Sequence, residues 1–91
     1  MPLKAPLPTP DELADICLTH LLQNPEQLAD FMSISGLGAD ALRRAVNQPS
    51  FGRGLIDYVV QNEPLLLAIC RENSLSPETV MRVWARLNPA G

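Results

Sequence analysis

The sequence contains few of the residues on which most metal, redox and base-stacking sites depend. Two cysteines and one histidine occur in 91 residues, and Cys17, Cys70 and His20 are too few and too scattered for a zinc site or a disulfide framework. The aromatic residues are equally sparse: Phe31, Phe51, Tyr58 and Trp84. We therefore expect no metal ion, no cofactor and no surface on which nucleic-acid bases stack.

Long hydrophobic runs and an excess of positive charge are absent as well. The longest apolar run covers residues 65–70, whereas a membrane-spanning helix needs about 18 apolar residues, and no basic segment precedes an apolar stretch as in a secretory signal. Ten acidic residues against seven basic ones give a net charge of −3, unlike the basic surface typical of nucleic-acid-binding proteins. We expect a cytoplasmic protein that does not bind membranes.

What the sequence does contain is a series of helix start signals. Thr9-Pro10-Asp11-Glu12 has the pattern of a capping box with proline in the first turn, and further starts are predicted near Pro25, Ala39, Pro49, Pro64 and Pro77. Apolar residues follow helical spacing between these starts, and no alternation typical of a strand persists. The pattern predicts an all-α fold, a compact bundle of five to six short helices.

The domain boundaries follow from the same pattern. Residues 9–91 are predicted to form a single helical domain, and residues 1–8, with three prolines, an extended mobile arm. The helix that begins near Pro64 has apolar residues around most of its circumference, so it is predicted to lie at the centre of the bundle.

A shift of 38 residues aligns the sequence partly with itself. Five pairs are identical under this shift: Gln23/Gln61, Asn24/Asn62, Leu28/Leu66, Leu37/Leu75 and Arg44/Arg82. Most apolar positions coincide under the same shift. The repeated pattern predicts two similar three-helix halves that share one core, and an ancestral duplication is a hypothesis consistent with it.

Cys17 and His20 are the strongest candidates for catalysis. They lie three residues apart on one predicted helix face, which is the spacing that a thiolate nucleophile and its base would need. No nearby element orients the histidine, and the 38-residue shift places them on Leu55 and Tyr58, which are ordinary packing positions. We therefore expect both to pack in the core and the protein not to be an enzyme.

The glycines do not indicate a phosphate-binding loop. Gly36-Leu37-Gly38 is not followed by a lysine and is typical of a helix end followed by a helix start. Gly52 and Gly54 lie inside a helical pattern, where they are predicted to let a neighbouring helix approach closely.

Residues 69–83 have the spacing of a helix-turn-helix motif, which gives an alternative function. Ser74 occupies the turn position where glycine is usual, and a capped second helix, predicted over residues 77–88, follows it. This helix carries Thr79, Arg82 and Arg86 on its polar side. These three residues are the candidate DNA contacts.

Over residues 11–88 the chain resembles a family of small bacterial proteins, found mostly in alphaproteobacteria, that is known as domain of unknown function 3572. The segments that carry the resemblance are Asn24-Pro25-Glu26-Gln27-Leu28, Gly36-Leu37, residues 55–67 and Ser74-Leu75-Ser76-Pro77-Glu78. Gly52 and Gly54 depart from the family pattern, which has bulkier helix formers there. The resemblance implies an all-helical cytoplasmic protein and assigns no activity or site.

Taken together, these features predict a non-enzymatic protein-interaction or regulatory module. Six short helices cannot bury every leucine, and apolar residues left exposed usually mark an interface. The candidate interface residues are Leu18, Leu22, Ile56 and Val60. The expected partner is an unidentified protein or a second copy of the chain, and helix-turn-helix DNA binding through residues 77–88 is the alternative.

Overall fold

Six α-helices form the protein in a computed structural model that describes residues 7–89. The helices are α1 (Pro10–Leu22), α2 (Pro25–Ser35), α3 (Ala39–Ala45), α4 (Pro49–Val60), α5 (Glu63–Glu72) and α6 (Pro77–Leu87). Residues 7–89 contain no strand, so the prediction of an all-α bundle is confirmed. No helix in this part of the chain is long and apolar enough to span a membrane.

Side-chain caps mark the starts of α1, α5 and α6, whereas α2, α3 and α4 begin without a side-chain cap hydrogen bond. Thr9 Oγ1 accepts a hydrogen bond from the Glu12 N–H at 3.1 Å, and Glu12 Oε1 accepts one from the Thr9 N–H at 2.8 Å, which completes the capping box of α1. Ser76 Oγ caps α6 through the Thr79 N–H at 3.1 Å. Each cap satisfies a backbone donor that the first helical turn leaves unpaired.

The second helix of each half ends in the same way. Gly36 follows α2 with φ of 76°, and Ser74, 38 positions later, follows α5 with φ of 54°. The next N–H then donates back into the helix in both cases, from Leu37 to the Met32 carbonyl at 3.1 Å and from Leu75 to the Cys70 carbonyl at 2.9 Å. Both connections therefore have the left-handed C-terminal cap of a Schellman motif.

Helices α1 and α4 lie at the centre of the bundle. Helix α1 packs against α2, α4, α5 and α6, and α4 packs against α1, α5 and α6. Six of their side chains are at most 1% exposed: Leu13, Cys17, Leu21, Leu55, Ile56 and Val59. Helix α5 was predicted to be central, and this prediction is wrong. Leu67 is 43% exposed because the buried residues of α5 lie on the opposite side of that helix.

A glycine allows the two central helices to approach closely. A Cβ atom at Gly52 of α4 would lie 3.0 Å from the Ala14 Cβ of α1, whereas one at Gly54 would meet no atom within 4 Å. The predicted role in close helix packing is thus confirmed for Gly52 and wrong for Gly54. Ala14 and Gly52 are 38 residues apart, so they would be equivalent positions of the predicted repeat.

Leu7, which precedes α1, is half-buried and packs against the core. The division into a mobile arm over residues 1–8 and a domain over residues 9–91 stays a prediction. Residues 1–6, the rest of that predicted arm, lie outside the described residues, as do residues 90 and 91.

Candidate protein-binding surface

The structure separates the four residues of the predicted interface. Leu22 is 59% exposed at the end of α1, and Leu18, one turn earlier, is half-buried, as is Val60 on α4. Ile56 is only 1% exposed, and its assignment to the interface is therefore wrong. Ile56 is covered because α4 is enclosed by α1, α5 and α6.

Leu18 lines an open groove between α1 and the start of α4, which we call the α1–α4 groove. Its apolar wall comprises Ala14, Leu18, Val46 and Phe51, and Asp11 and Asp15 also line it. Val46 is 39% exposed, while Ala14, Leu18 and Phe51 are half-buried. Apolar side chains therefore remain accessible to solvent beside two carboxylates.

The groove is open because α3 is short. Helix α3 has seven residues and no buried residue, and it ends before Pro49 starts α4. Gln48, which precedes this proline, is extended with φ of −97° and ψ of 135°, as the proline ring requires. The chain therefore turns away before a further turn of α3 can cover Leu18.

Sequence reasoning missed Val46, Phe51 and Ala14 as groove residues. The usable signal was the 38-residue shift, which places Val46 on Trp84. Trp84 lies within the long helix α6, whereas Val46 follows the end of α3. Helix α3 is thus shorter than α6, and this difference in length marks the position at which the first half is left uncovered.

His20 forms a polar junction that links three helices. The ring Nδ1 lies 2.7 Å from Glu72 Oε1 of α5, and Nε2 lies 2.6 Å from Gln27 Oε1 of α2. The imidazolium satisfies both contacts by donating twice, and the neutral ring satisfies them when the Gln27 amide is reversed. His20 is 4% exposed, so its position is fixed by these partners, in keeping with a structural role.

Cys17 is enclosed in the core. It is 1% exposed, and burial, with a smaller contribution from the charge of the nearby Cys70, raises the pKa of the Cys17 thiol to about 12. The thiol is therefore protonated at neutral pH and lacks the thiolate character that a nucleophile needs. Across residues 7–89 no group of three or more His, Cys, Asp or Glu side chains is placed to hold a metal ion.

Two of the three candidate DNA contacts on α6, Thr79 and Arg82, are engaged within the helix. Thr79 Oγ1 lies 2.9 Å from Ser76 Oγ, within the N-terminal cap, and Arg82 pairs with Glu78 at 3.8 Å. Arg43 on α3 likewise pairs with Asp40 at 3.5 Å. These exposed pairs are weak, but they place an acid beside Arg82 and Arg43 and reduce the positive potential there that phosphate binding requires.

Comparison with known proteins identifies a family but no activity. No curated protein and no solved structure matches the chain. Residues 8–90 match a family described as Protein of unknown function (DUF3572). The match covers all six helices and both halves of the bundle, and the chain therefore belongs to the DUF3572 family.

Proposed function

We propose that this protein is a cytoplasmic, non-enzymatic binding module that docks another protein in the α1–α4 groove. The observation that carries the proposal is the exposure of Leu18 and Val46 in a concave surface. Burial of exposed apolar surface against a partner lowers the free energy, because it removes that surface from water. A concave arrangement increases the area that one partner segment buries.

The environments of the two candidate catalytic residues support a role without catalysis. The raised pKa of the Cys17 thiol disfavours nucleophilic attack. The ring nitrogens of His20 are directed at Glu72 and Gln27, so the imidazole is not free to act as a base toward a substrate.

The proposal is tested by affinity capture from the native cell with variants of the groove. Proteins captured by the wild type should be lost with Leu18→Glu and with Val46→Glu, because either change places a carboxylate in the apolar wall. Leu67→Glu is the matched control, since Leu67 is 43% exposed on α5 and lies outside the groove. Retention of the same proteins by all variants would contradict docking in the groove.

Self-association and DNA binding are the alternative outcomes. Analytical ultracentrifugation separates the first, because a dimer through the groove should dissociate in Val46→Glu. For DNA, affinity for duplex would have to fall steeply with rising salt and weaken in Arg82→Ala and Arg86→Ala. Docking of a protein in the groove should instead weaken in Leu18→Glu and Val46→Glu and be unchanged in Arg82→Ala and Arg86→Ala.

A further inference from the structure

If a protein docks in the α1–α4 groove, as the proposed function states, a comparison of the two halves indicates which kind of segment enters it. Helices α2 and α5 begin 38 residues apart, as do α3 and α6. The connections before α2 and α5 also match: Asn24 has φ of −131° and ψ of 82°, and Asn62 has φ of −121° and ψ of 90°. The halves are thus related closely enough for one to show what the other lacks.

In the second half, the amphipathic helix α6 packs against the helix that carries Ile56, whereas four other counterparts of groove residues, Pro49, Gly52, Arg53 and Leu87, line an open depression. Helix α6 packs against α4, α1 and α5, with Val80 and Val83 at most 1% exposed. The Trp84 Nε1–H donates to Asp57 Oδ1 of α4 at 3.0 Å, beside the fully buried Ile56. Ile56 is the counterpart of Leu18.

In the first half, the equivalent cover is incomplete. Val46, the counterpart of Trp84, follows the end of α3, and Pro49, the counterpart of Leu87, already belongs to α4. The last turn of an α6-like helix is therefore missing above Leu18. The gap between Leu18 and Phe51 is therefore open and lined by apolar side chains.

The charges at the groove define the partner further. Asp11 and Asp15 line it, and within residues 7–89 no lysine or arginine lines it. A helix that lies in the groove would place its flanking side chains near these carboxylates. Basic side chains there are favoured by charge complementarity, and acidic ones are disfavoured.

We infer that the α1–α4 groove binds an amphipathic helix of a partner protein. The helix has apolar residues at positions i, i+3, i+4 and i+7, as in Val80, Val83, Trp84 and Leu87 of α6, and lysine or arginine at its edge. The partner helix supplies the cover that α3 is too short to give, by the helix-in-groove mode of recognition.

The test uses a display library of helical peptides built on residues 77–88 of this chain. The four apolar positions stay fixed, and the polar positions are randomised. Selection against the full-length protein should enrich peptides with lysine or arginine at the edge of the apolar face. Selected peptides should bind Leu18→Glu and Val46→Glu at least ten-fold more weakly than the wild type, and Leu67→Glu equally well.

The double variant Asp11→Lys/Asp15→Lys tests the charge argument, since both residues are exposed. It should bind the selected basic peptides at least ten-fold more weakly and remove most of their salt dependence. Equal binding to the groove variants, acidic edges in the selected peptides, or no retained peptide would overturn the inference. A large gain in peptide affinity on deletion of residues 1–6 would also overturn the inference. It would mean that this segment of the chain occupies the groove in the intact protein.

The result is distinguishable from failure of the proposed function. If affinity capture depends on Leu18 but the peptide selection fails, the groove binds a protein segment that is not a basic amphipathic helix. If affinity capture is independent of Leu18 and Val46, docking of a partner protein in the groove is itself wrong.

Discussion

At the scale of single residues, the contact between Ala14 and Gly52 sets the distance between the two central helices. The Cβ distance of 3.0 Å that a side chain at Gly52 would create is shorter than van der Waals contact. Glycine costs helix stability because it loses more backbone entropy on folding than other residues. Close packing of α1 on α4 offsets this cost at Gly52, whereas nothing offsets it at Gly54.

Leucine substitutions at the two glycines should therefore have opposite effects. Gly52→Leu should lower the free energy of unfolding by about 1–3 kcal/mol, because its side chain forces α1 and α4 apart. Gly54→Leu, two residues along the same helix, should raise it by up to about 1 kcal/mol through helix propensity. Urea denaturation followed by circular dichroism measures both, and equal destabilisation would contradict the packing argument.

Burial of Cys17 predicts slow chemical modification. The pKa of about 12 leaves almost no thiolate at neutral pH, so iodoacetamide should alkylate the native protein far more slowly than the unfolded chain. Mass spectrometry of labelled peptides identifies the site, and labelling in guanidinium chloride is the control. Rapid alkylation of Cys17 in the native state would revive the catalytic interpretation.

Because the pKa of the Cys17 thiol is raised in the folded state, the protein should lose stability at high pH. Its folded pKa of about 12 lies above its ordinary value of 9.0, so its contribution to stability is fully present below pH 9 and is lost as the pH rises toward 12. Stability should therefore fall over this range. In Cys17→Ala the fall should be less steep, as measured by urea denaturation at a series of pH values.

At the scale of elements, α1 and α4 face their neighbouring helices with different kinds of side chain. His20 of α1 contacts Glu72 of α5, whereas the equivalent positions in the other half are Tyr58 of α4 and Ile34 of α2. Tyr58 and Ile34 line the same depression, and Tyr58 also packs edge-on against Phe31, with ring centroids 5.1 Å apart. The polar contact of one half thus corresponds, in the other half, to two residues that line one depression, of which Ile34 is 73% exposed.

Replacement of His20 and Glu72 by the residues at the equivalent positions should reveal whether the two side chains are energetically coupled. Glu72→Gln should lower the free energy of unfolding by about 0.5–1.5 kcal/mol, because it weakens one hydrogen bond of a buried histidine. His20→Tyr with Glu72→Ile, which copies Tyr58 and Ile34, should cost less than the two single changes added together. A double-mutant cycle by urea denaturation measures the coupling, and strict additivity would contradict it.

The sequence predicted the helix starts well because their signals are local. A proline lies in the first turn of every helix except α3, and a side-chain cap adds to it in α1, α5 and α6, as at Thr9 and Ser76. Burial of Ile56 and exposure of Leu67 depend on contacts between distant segments, which helical spacing alone does not specify. The groove was missed for the same reason, since it results from where α3 ends relative to α4, and only Leu18 among its residues was predicted.

At the scale of the whole molecule, stability should be greatest in the central pair. Helices α1 and α4 make the most extensive contact in the bundle, and six of their side chains are at most 1% exposed, whereas α3 has no buried residue. Amide hydrogen exchange should therefore be slowest around residues 13–21 and 55–59 and fastest, among the helices, in α3. Mass spectrometry of exchanged peptides checks the order, and strongest protection in α5 would restore that helix as the centre.

The packing of α1 against α4, α5 and α6 has a consequence for the covalent chain itself. These contacts join the first half to the second, and only residues 46–48 connect α3 to α4. The linker then acts mainly by raising the effective concentration of one half near the other. Fragments 1–47 and 48–91, each short of the size that folds readily alone, should regain helical circular dichroism when mixed. Their association constant would measure directly how much of the fold is an interface between two halves.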